Sequence, residues 1–255
     1  MWFQRKFQIN NTKIFFLHIP KCGGTSIVKA INNSLGKNRL GLIKGKGNNP
    51  VFFVNPRTSR RCAKLLGDDP LEYRKRILAY NMSINHCKFI YGHFSYSEKI
   101  FQEFGKEWKF ITILRHPVSQ WFSYYFYETR ENADRRITSD LKSFIESERA
   151  RLMGNSYVRR LTEGISPTNA SSDEGVKQAI ENLNKFALVG ILENMDIFAK
   201  DYQSLFGAKL VIEHNNKNPV SKFQQKDQIT DEIRQRVEEI CQPNIRVYES
   251  QLKRI

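Results

Sequence analysis

Three short, mainly apolar runs stand out along the chain, and each ends abruptly in glycine or polar residues. They cover residues 14–19, 88–91 and 110–114. Such runs are typical of strands buried on both faces of a parallel sheet that helices cover. After the first and third runs, apolar side chains recur at helical spacing. We therefore expect an α/β fold, with one domain over residues 1–255 and a central parallel sheet flanked by helices.

Weaker patterns predict the remaining elements. Short strands are expected at three places: 51–54, 186–189 and, as an edge strand, 209–212. Helices are expected over four segments: 70–80, 138–161 with a break near Gly154, 173–184 and 195–206. A final helix is predicted to start near Thr230 and to be interrupted by Pro243.

The first apolar run ends in the segment PKCGGTS, residues 20–26, after which helical spacing begins. The segment therefore opens onto a helix N-terminus, where free backbone N–H groups and the helix dipole favour an anion. The two glycines let the backbone approach that anion, Lys21 supplies charge, and the following Thr-Ser pair supplies hydroxyl donors. A plain strand-to-helix turn would have a similar composition. The order of residues differs from that of a nucleotide triphosphatase P-loop, because the lysine precedes the glycines.

Two further side chains follow the ends of the other two apolar runs. His93 comes after the second run and Arg115 after the third. Ligands of open α/β sheets bind outside the carboxyl ends of the strands, so both residues are placed for chemistry. A neutral imidazole can remove a proton from a hydroxyl, although a lone histidine often only hydrogen-bonds its own turn. The Arg115 guanidinium suits a terminal phosphate. The aromatic helix predicted after it, which carries Ser123, is typical of a core element.

Positive charge is concentrated at one end of the chain. The formal net charge of the 255 residues is +15, and residues 1–80 carry 16 Lys and Arg against 3 Asp and Glu. This imbalance favours an anionic ligand or substrate, or else a solvated basic surface. Nucleic acid is not the expected partner, because no helix-turn-helix, zinc-finger or aromatic RNA-binding signature occurs. The loop-like segment 214–223 adds Lys222 as a further group available to an anion.

The sequence also bears on location and redox chemistry. No run of roughly 18 apolar residues occurs, so no membrane span is expected. The first residues are too polar for a secretory signal, which favours a cytoplasmic protein or one whose targeting segment has been removed. Four scattered cysteines are expected to be free thiols: Cys22, Cys62, Cys87 and Cys241.

The blocks HIPKCGGTS, YGHFSYS and ILRHPVSQWFSYYFY resemble those of sulfotransferases that use 3′-phosphoadenosine 5′-phosphosulfate (PAPS). Their order and spacing are most similar to the heparan sulfate 2-O-sulfotransferase type of carbohydrate sulfotransferase. The resemblance extends through NKFALVGILENMDIFAKDYQSLFG, so it touches most of the chain. His116 and Gln120 depart from the family, which usually has Asp and often a basic residue there.

The resemblance implies a P-loop-like sulfotransferase fold and a metal-independent reaction that leaves adenosine 3′,5′-bisphosphate (PAP). It implies that His93 is the catalytic base and that Lys21 stabilises the departing phosphate. It implies a donor site formed by the following residues: Lys21, Cys22, Gly23, Gly24, Thr25, Ser26, Arg115 and Ser123. Lys222, in the loop-like segment near the C-terminus, is expected to join this site. The expected acceptor carries a hydroxyl group and is a glycan, which can be acidic. The resembling enzymes can self-associate, so an oligomer is possible.

Two other classes of protein remain open at this point. A P-loop-class kinase would also use an anion-binding loop, although no convincing aspartate for magnesium follows a strand. A non-catalytic polyanion-binding protein would account for the basic N-terminal third but would not need His93.

Overall fold

A computed structural model describes residues 12–35, 51–166, 169–213 and 227–254. Its centre is a five-stranded sheet in the order β2-β3-β1-β4-β5, and every strand pair is parallel. The strands are β1 Lys13–Leu17, β2 Val51–Val54, β3 Phe89–Gly92, β4 Trp108–Leu114 and β5 Leu188–Ile191. The predicted α/β class and central parallel sheet are therefore confirmed.

Twelve α-helices accompany the sheet in the described part of the chain. The first six are α1 Gly24–Ser34, α2 Pro56–Leu66, α3 Pro70–Met82, α4 Glu98–Phe104, α5 Pro117–Glu128 and α6 Leu141–Ile145. The next six are α7 Glu148–Gly154, α8 Ser156–Leu161, α9 Asp173–Asn184, α10 Met195–Phe206, α11 Asp231–Ile240 and α12 Gln242–Leu252. Two short 3₁₀ helices cover Asn169–Ser171 and Leu192–Asn194. None of the described helices has the length and apolar character needed to cross a membrane.

Most predicted elements are present, and two expectations need correction. The edge strand expected at 209–212 is wrong: Leu210 is buried in the core, but the segment pairs with no strand in the described residues. The interruption expected at Pro243 is present, because α11 ends at Ile240 and α12 begins at Gln242, with Pro243 in its first turn, where its missing N–H removes no helical hydrogen bond. The last strand begins at Leu188, two residues later than expected.

Gly154, where the helix break is expected, has no room for a side chain. A Cβ atom at Gly154 would lie 2.3 Å from the carbonyl oxygen of Ile240, so α11 packs directly on the backbone here. Helix α7 ends at this glycine and α8 starts two residues later.

The core has two parts. The larger surrounds the sheet, where Phe15, Phe94 and Phe110 pack edge to face. The smaller lies between α5, α6, α7 and α11, with Trp121 fully buried at its centre. The aromatic helix α5 is therefore a core element, as its composition predicts, and its other face is left available to a site.

The register of the sheet brings three strand ends to one level. Leu17 of β1 lies opposite Gly92 of β3 and Thr112 of β4. The backbone N–H of His18 donates to the Gly92 carbonyl at 2.9 Å, and the Thr112 hydroxyl donates to the Leu17 carbonyl at 2.8 Å. The segments that follow β1, β3 and β4 consequently leave the sheet side by side.

Asn244 provides a test of how α8 is held. The side chain of Asn155, the N-cap residue of α8, makes no capping hydrogen bond, whereas Asn244 Oδ1 of α12 accepts from the backbone N–H of Tyr157 at 2.9 Å. Asn244 is fully buried. We predict that Asn244→Ala lowers the free energy of unfolding by about 2 kcal/mol, because a buried N–H loses its partner. Denaturant titration measures this.

Asn132→Ala is the matched control, because Asn132 is exposed and only its backbone oxygen is used, by Arg57. It should change the free energy of unfolding by less than about 0.5 kcal/mol. An equally small effect of Asn244→Ala would show that α8 does not depend on this contact.

Candidate functional site

A cavity of about 1110 Å³ lies at the carboxyl edge of the sheet. Eight of the predicted site residues line it: Lys21, Gly23, Gly24, Thr25, Ser26, His93, Arg115 and Ser123. Cys22 does not line it, and Lys222 lies outside the described residues, so its assignment stays a prediction. The three predicted motifs, which are up to about a hundred positions apart in sequence, therefore line the same cavity.

The loop after β1 needs both of its glycines, for different reasons. Gly23 has a φ of 74°, in the left-handed region, and a Cβ there would lie 2.6 Å from the Leu192 side chain. Gly24 opens α1 and lies against His18, whose Nε2 would be 2.0 Å from a Cβ at this position. The sequence predicts that the glycines let an anion approach the backbone. The structure shows that they also make room for the side chains of Leu192 and His18.

The N-terminus of α1 is available to a ligand. Gly23 is its N-cap residue and makes no side-chain capping hydrogen bond, and the first turn contains no acidic residue. The first N–H groups of a helix have no partner within the helix. Together with the helix dipole they form an anion-binding end that faces the cavity.

The loop is fixed from the neighbouring strand and helix. Gln120 Nε2 donates to the Pro20 carbonyl at 2.9 Å, and Arg115 Nη1 donates to the Lys21 carbonyl at 3.2 Å. Lys21 itself has a φ of 66°, which costs of order 1 kcal/mol for a non-glycine residue and persists only when neighbours hold it. Gln120, where the family often has a basic residue, thus has a structural role in this chain.

The charge of Lys21 is held in a partly enclosed position. Its Nζ lies 4.1 Å from the centre of the Tyr127 ring. Burial, and then the charges of Arg130 and Arg115, lower the pKa of Lys21 to about 8. The ammonium is therefore charged near neutral pH, and an anion bound beside it would stabilise that charge.

His93 is oriented with one nitrogen free. Its Nδ1 lies 2.8 Å from the carbonyl oxygen of His18, and because a carbonyl only accepts, Nδ1 carries the proton and Nε2 the lone pair. Burial lowers the pKa of His93 well below its usual value, and His18 and Arg160 lower it further. Arg74 Nη1 donates to the His93 carbonyl at 2.8 Å, which fixes the backbone. His93 is thus a neutral, oriented imidazole at pH 7, as a general base requires.

Tyr157 is a site residue that the sequence did not indicate. Its hydroxyl donates to the Arg115 carbonyl at 2.6 Å and accepts from the Arg115 N–H at 3.2 Å. The same oxygen lies 3.5 Å from Cys22 Sγ. Cys22 is therefore buried under the loop, where burial raises the pKa of its thiol to about 12, and its N–H donates to Ile19. It is a packing residue and not a ligand-facing one.

The cavity wall carries an excess of positive charge. Its basic residues are Lys21, Arg57, Arg60, Arg74, Arg115, Arg135, Arg159 and Arg160. Its acidic residues are Asp69, Glu128 and Asp134. All three carboxylates have other partners: Asp69 caps α3, Glu128 pairs with Arg149, and Asp134 pairs with Arg57 and Arg60. The remaining cations favour an anionic ligand.

The sequence is similar to curated sulfotransferases. It is 26% identical over 205 residues to heparan sulfate 2-O-sulfotransferase 1 of Mus musculus and, equally, to that of Cricetulus griseus. These matches cover 72% of this chain and 52% of each relative, so the chain spans about half the length of the curated relatives it matches. No protein-family model matches.

Solved structures give two further likenesses. A mouse sulfotransferase, SULT7A1, complexed with PAP is 14% identical with a TM-score of 0.46, covering 92% of this chain and 84% of its own. A sulfotransferase from Alicyclobacillus acidocaldarius is 16% identical with a TM-score of 0.38. This match covers 91% of the present chain and 96% of the bacterial one. The resemblance to heparan sulfate 2-O-sulfotransferases that the motifs predict is confirmed by the curated relatives.

The contact between Gly24 and His18 can be tested by a double-mutant cycle. Gly24→Ala should destabilise the protein because its methyl group meets the imidazole, although alanine is the better helix former. We predict that combining it with His18→Ala costs about 1 kcal/mol less than the sum of the single changes, because removing the ring relieves the clash. Urea unfolding of the four proteins measures the coupling.

Gly67→Ala serves as the control, since Gly67 has a positive φ, of 70°, and open space around it, so alanine there costs backbone strain without a side-chain clash. It should destabilise the protein independently of His18. Strict additivity of Gly24→Ala and His18→Ala would contradict the packing described here.

Proposed function

We propose that this chain is a sulfotransferase that moves a sulfuryl group from PAPS to a hydroxyl group of a carbohydrate. The observation that carries the proposal is that an uncapped helix N-terminus and a neutral, oriented His93 line the same cavity. The similarity to heparan sulfate 2-O-sulfotransferase 1 supports it.

The residues fit a donor with two separate anionic ends. The N–H groups at the start of α1, the hydroxyls of Thr25 and Ser26 and the ammonium of Lys21 suit the 5′-phosphosulfate. Arg115, which follows β4, and Ser123, which lies on α5, suit the 3′-phosphate. The cavity, at about 1110 Å³, slightly exceeds the range of roughly 300–1,000 Å³ for small-molecule sites, which leaves room for an acceptor.

PAPS supplies the sulfuryl group, and the side chains of this chain supply proton transfer and charge stabilisation. Nε2 of His93 takes the proton of the acceptor hydroxyl, whose oxygen forms the new bond to sulfur. The bond between sulfur and the phosphate oxygen breaks, and its electron pair stays on that oxygen. Lys21 and the N–H groups of α1 stabilise the resulting charge. General-base assistance is typically worth about 10²- to 10⁴-fold in rate.

The acceptor side of the proposal depends on two observations. The curated relatives are named for heparan sulfate, which is a carbohydrate, and the unpaired cations of the cavity wall suit an acidic acceptor. The assignment of residues 1–255 to one sulfotransferase domain, the cytoplasmic location and self-association stay predictions.

The base assignment predicts the behaviour of His93→Ala. Turnover should fall by at least about 100-fold, because Nε2 of His93 is no longer there to take the proton of the acceptor hydroxyl. Binding of PAP should stay within about twofold, since the imidazole does not hold the nucleotide. Transfer of radiolabelled sulfate from PAPS, with an acceptor found by screening glycans, small hydroxylated metabolites and proteins, measures turnover.

His86→Ala is the control, because His86 is exposed and does not line the cavity. It should leave both turnover and nucleotide binding unchanged. Near-normal turnover of His93→Ala would eliminate His93 as the base.

The role proposed for Arg115 predicts a selective loss of affinity. Arg115→Ala should weaken binding of PAP by about tenfold or more, because hydrogen bonds to a charged group contribute about 1.5–3 kcal/mol. Binding of adenosine 5′-phosphate, which lacks the 3′-phosphate, should weaken by only about twofold. Calorimetric titration with the two nucleotides gives both values, and Arg136→Ala, at an exposed position outside the cavity wall, is the control. Equal losses for the two nucleotides would exclude a contact to the 3′-phosphate.

A further inference from the structure

Arg160 occupies the His93 end of the cavity. It lies in the last turn of α8 and lines the cavity wall. Its Nη1 donates to the Phe94 carbonyl at 3.2 Å, and its own carbonyl accepts from the Tyr96 N–H at 2.7 Å. Both contacts are to the segment that directly follows His93.

The guanidinium of Arg160 has no carboxylate to balance it. A guanidinium has five N–H donors, and among the described residues Arg160 forms no ion pair with an acid. Burial, together with the charges of Arg74 and Arg159, lowers the pKa of Arg160 to about 10, so the group stays charged at neutral pH. A cation enclosed beside other cations is costly unless an anion joins it. The site is therefore arranged for an anionic ligand group at Arg160.

The position of that ligand group follows from the residues around Arg160. Lys21, His18, His93 and Arg160 all line the cavity, and Arg160 is hydrogen-bonded to Phe94, the residue that follows His93. The imidazole of His18 packs on that of His93, with ring centres 4.5 Å apart. Burial and, to a smaller extent, the charges of Arg160 and Lys21 lower the pKa of His18 to about 4. We therefore place the anionic group on the His93 side of the cavity.

We propose that Arg160 donates hydrogen bonds to the sulfuryl oxygens of the donor and is a catalytic residue of the reaction. This inference rests on the proposed function. When the sulfuryl group passes from phosphate to acceptor, its oxygens remain next to the guanidinium, so Arg160 stabilises the group on both sides of the transfer. Lys21 stabilises the departing phosphate instead, which separates the two cations by role.

Arg159 offers a matched comparison. It is the neighbouring residue, lines the same cavity and forms no ion pair with an acid in the described residues. Burial and the charge of Arg135 lower its pKa, while Asp69 raises it. Among the described residues, the side chain of Arg159 makes no hydrogen bond to the segment after His93, whereas that of Arg160 does. Arg159 therefore controls for the loss of a positive charge from the cavity wall.

The test compares two ligands that differ only in the sulfuryl group. Calorimetric titration of the full chain with PAPS and with PAP gives an affinity ratio. We expect Arg160→Met to weaken PAPS binding by about tenfold or more and PAP binding by about twofold or less. Arg159→Met should leave the ratio as it is in the wild type. In the labelled-sulfate assay, Arg160→Met should lower kcat/KM for PAPS by about tenfold or more, because the contact to the sulfuryl oxygens is lost in the bound donor and in the transition state alike.

Retained PAP binding shows that the Arg160→Met protein is folded. If that protein does not fold, Arg160→Lys is the variant to test, because lysine keeps the positive charge but lacks the planar guanidinium with its paired N–H donors. Arg160→Lys should still weaken PAPS binding selectively, by about threefold or more. An unchanged ratio, or equal losses for both ligands, would overturn the role of Arg160. Failure of the wild-type chain to bind either ligand would instead overturn the proposed function.

Discussion

The parallel pairing of β1 between β3 and β4 is the constraint on which the rest of the site depends. Leu17, Gly92 and Thr112 lie at one level, so the loop at 20–26, His93 and Arg115 leave the sheet side by side. A slip of one residue would turn every side chain of a strand to the other face. The buried apolar strands prevent such a slip, and the hydrogen bonds to the Leu17 and Gly92 carbonyls fix the last rung.

Packing behind the cavity then sets the chemistry of its wall. The absence of a side chain at Gly24 admits His18, and the His18 carbonyl fixes the tautomer of His93. Tyr157 holds both backbone groups of Arg115, and Arg115 in turn holds the Lys21 carbonyl. These contacts join the three strand ends into one unit. The N-terminus of α1 and the imidazole of His93 are therefore positioned by the fold before any ligand arrives, which limits the reorganisation that the proposed reaction requires.

Much of this arrangement can be predicted from the sequence, because it is encoded locally. Apolar runs ending in glycine or polar residues locate the strand ends, and these carry Lys21, His93 and Arg115. Tyr157 and Arg160 could not be assigned in this way, since their partners lie 42 and 66 positions away and nothing near them in sequence indicates the contacts. The strand expected at 209–212 failed for a related reason: a short apolar stretch does not distinguish a strand from a loop that buries Leu210.

The most direct test of the central claim is a comparison of thermal stability with three ligands in the absence and presence of magnesium. A ligand that binds only the folded state at 100 times its Kd stabilises that state by about 2.7 kcal/mol, which is measurable as a rise in Tm. We predict that PAP raises Tm the most and needs no metal, with smaller shifts for ATP with magnesium and for heparin. A larger, magnesium-dependent shift with ATP, or a shift with heparin alone, would contradict a sulfotransferase donor site.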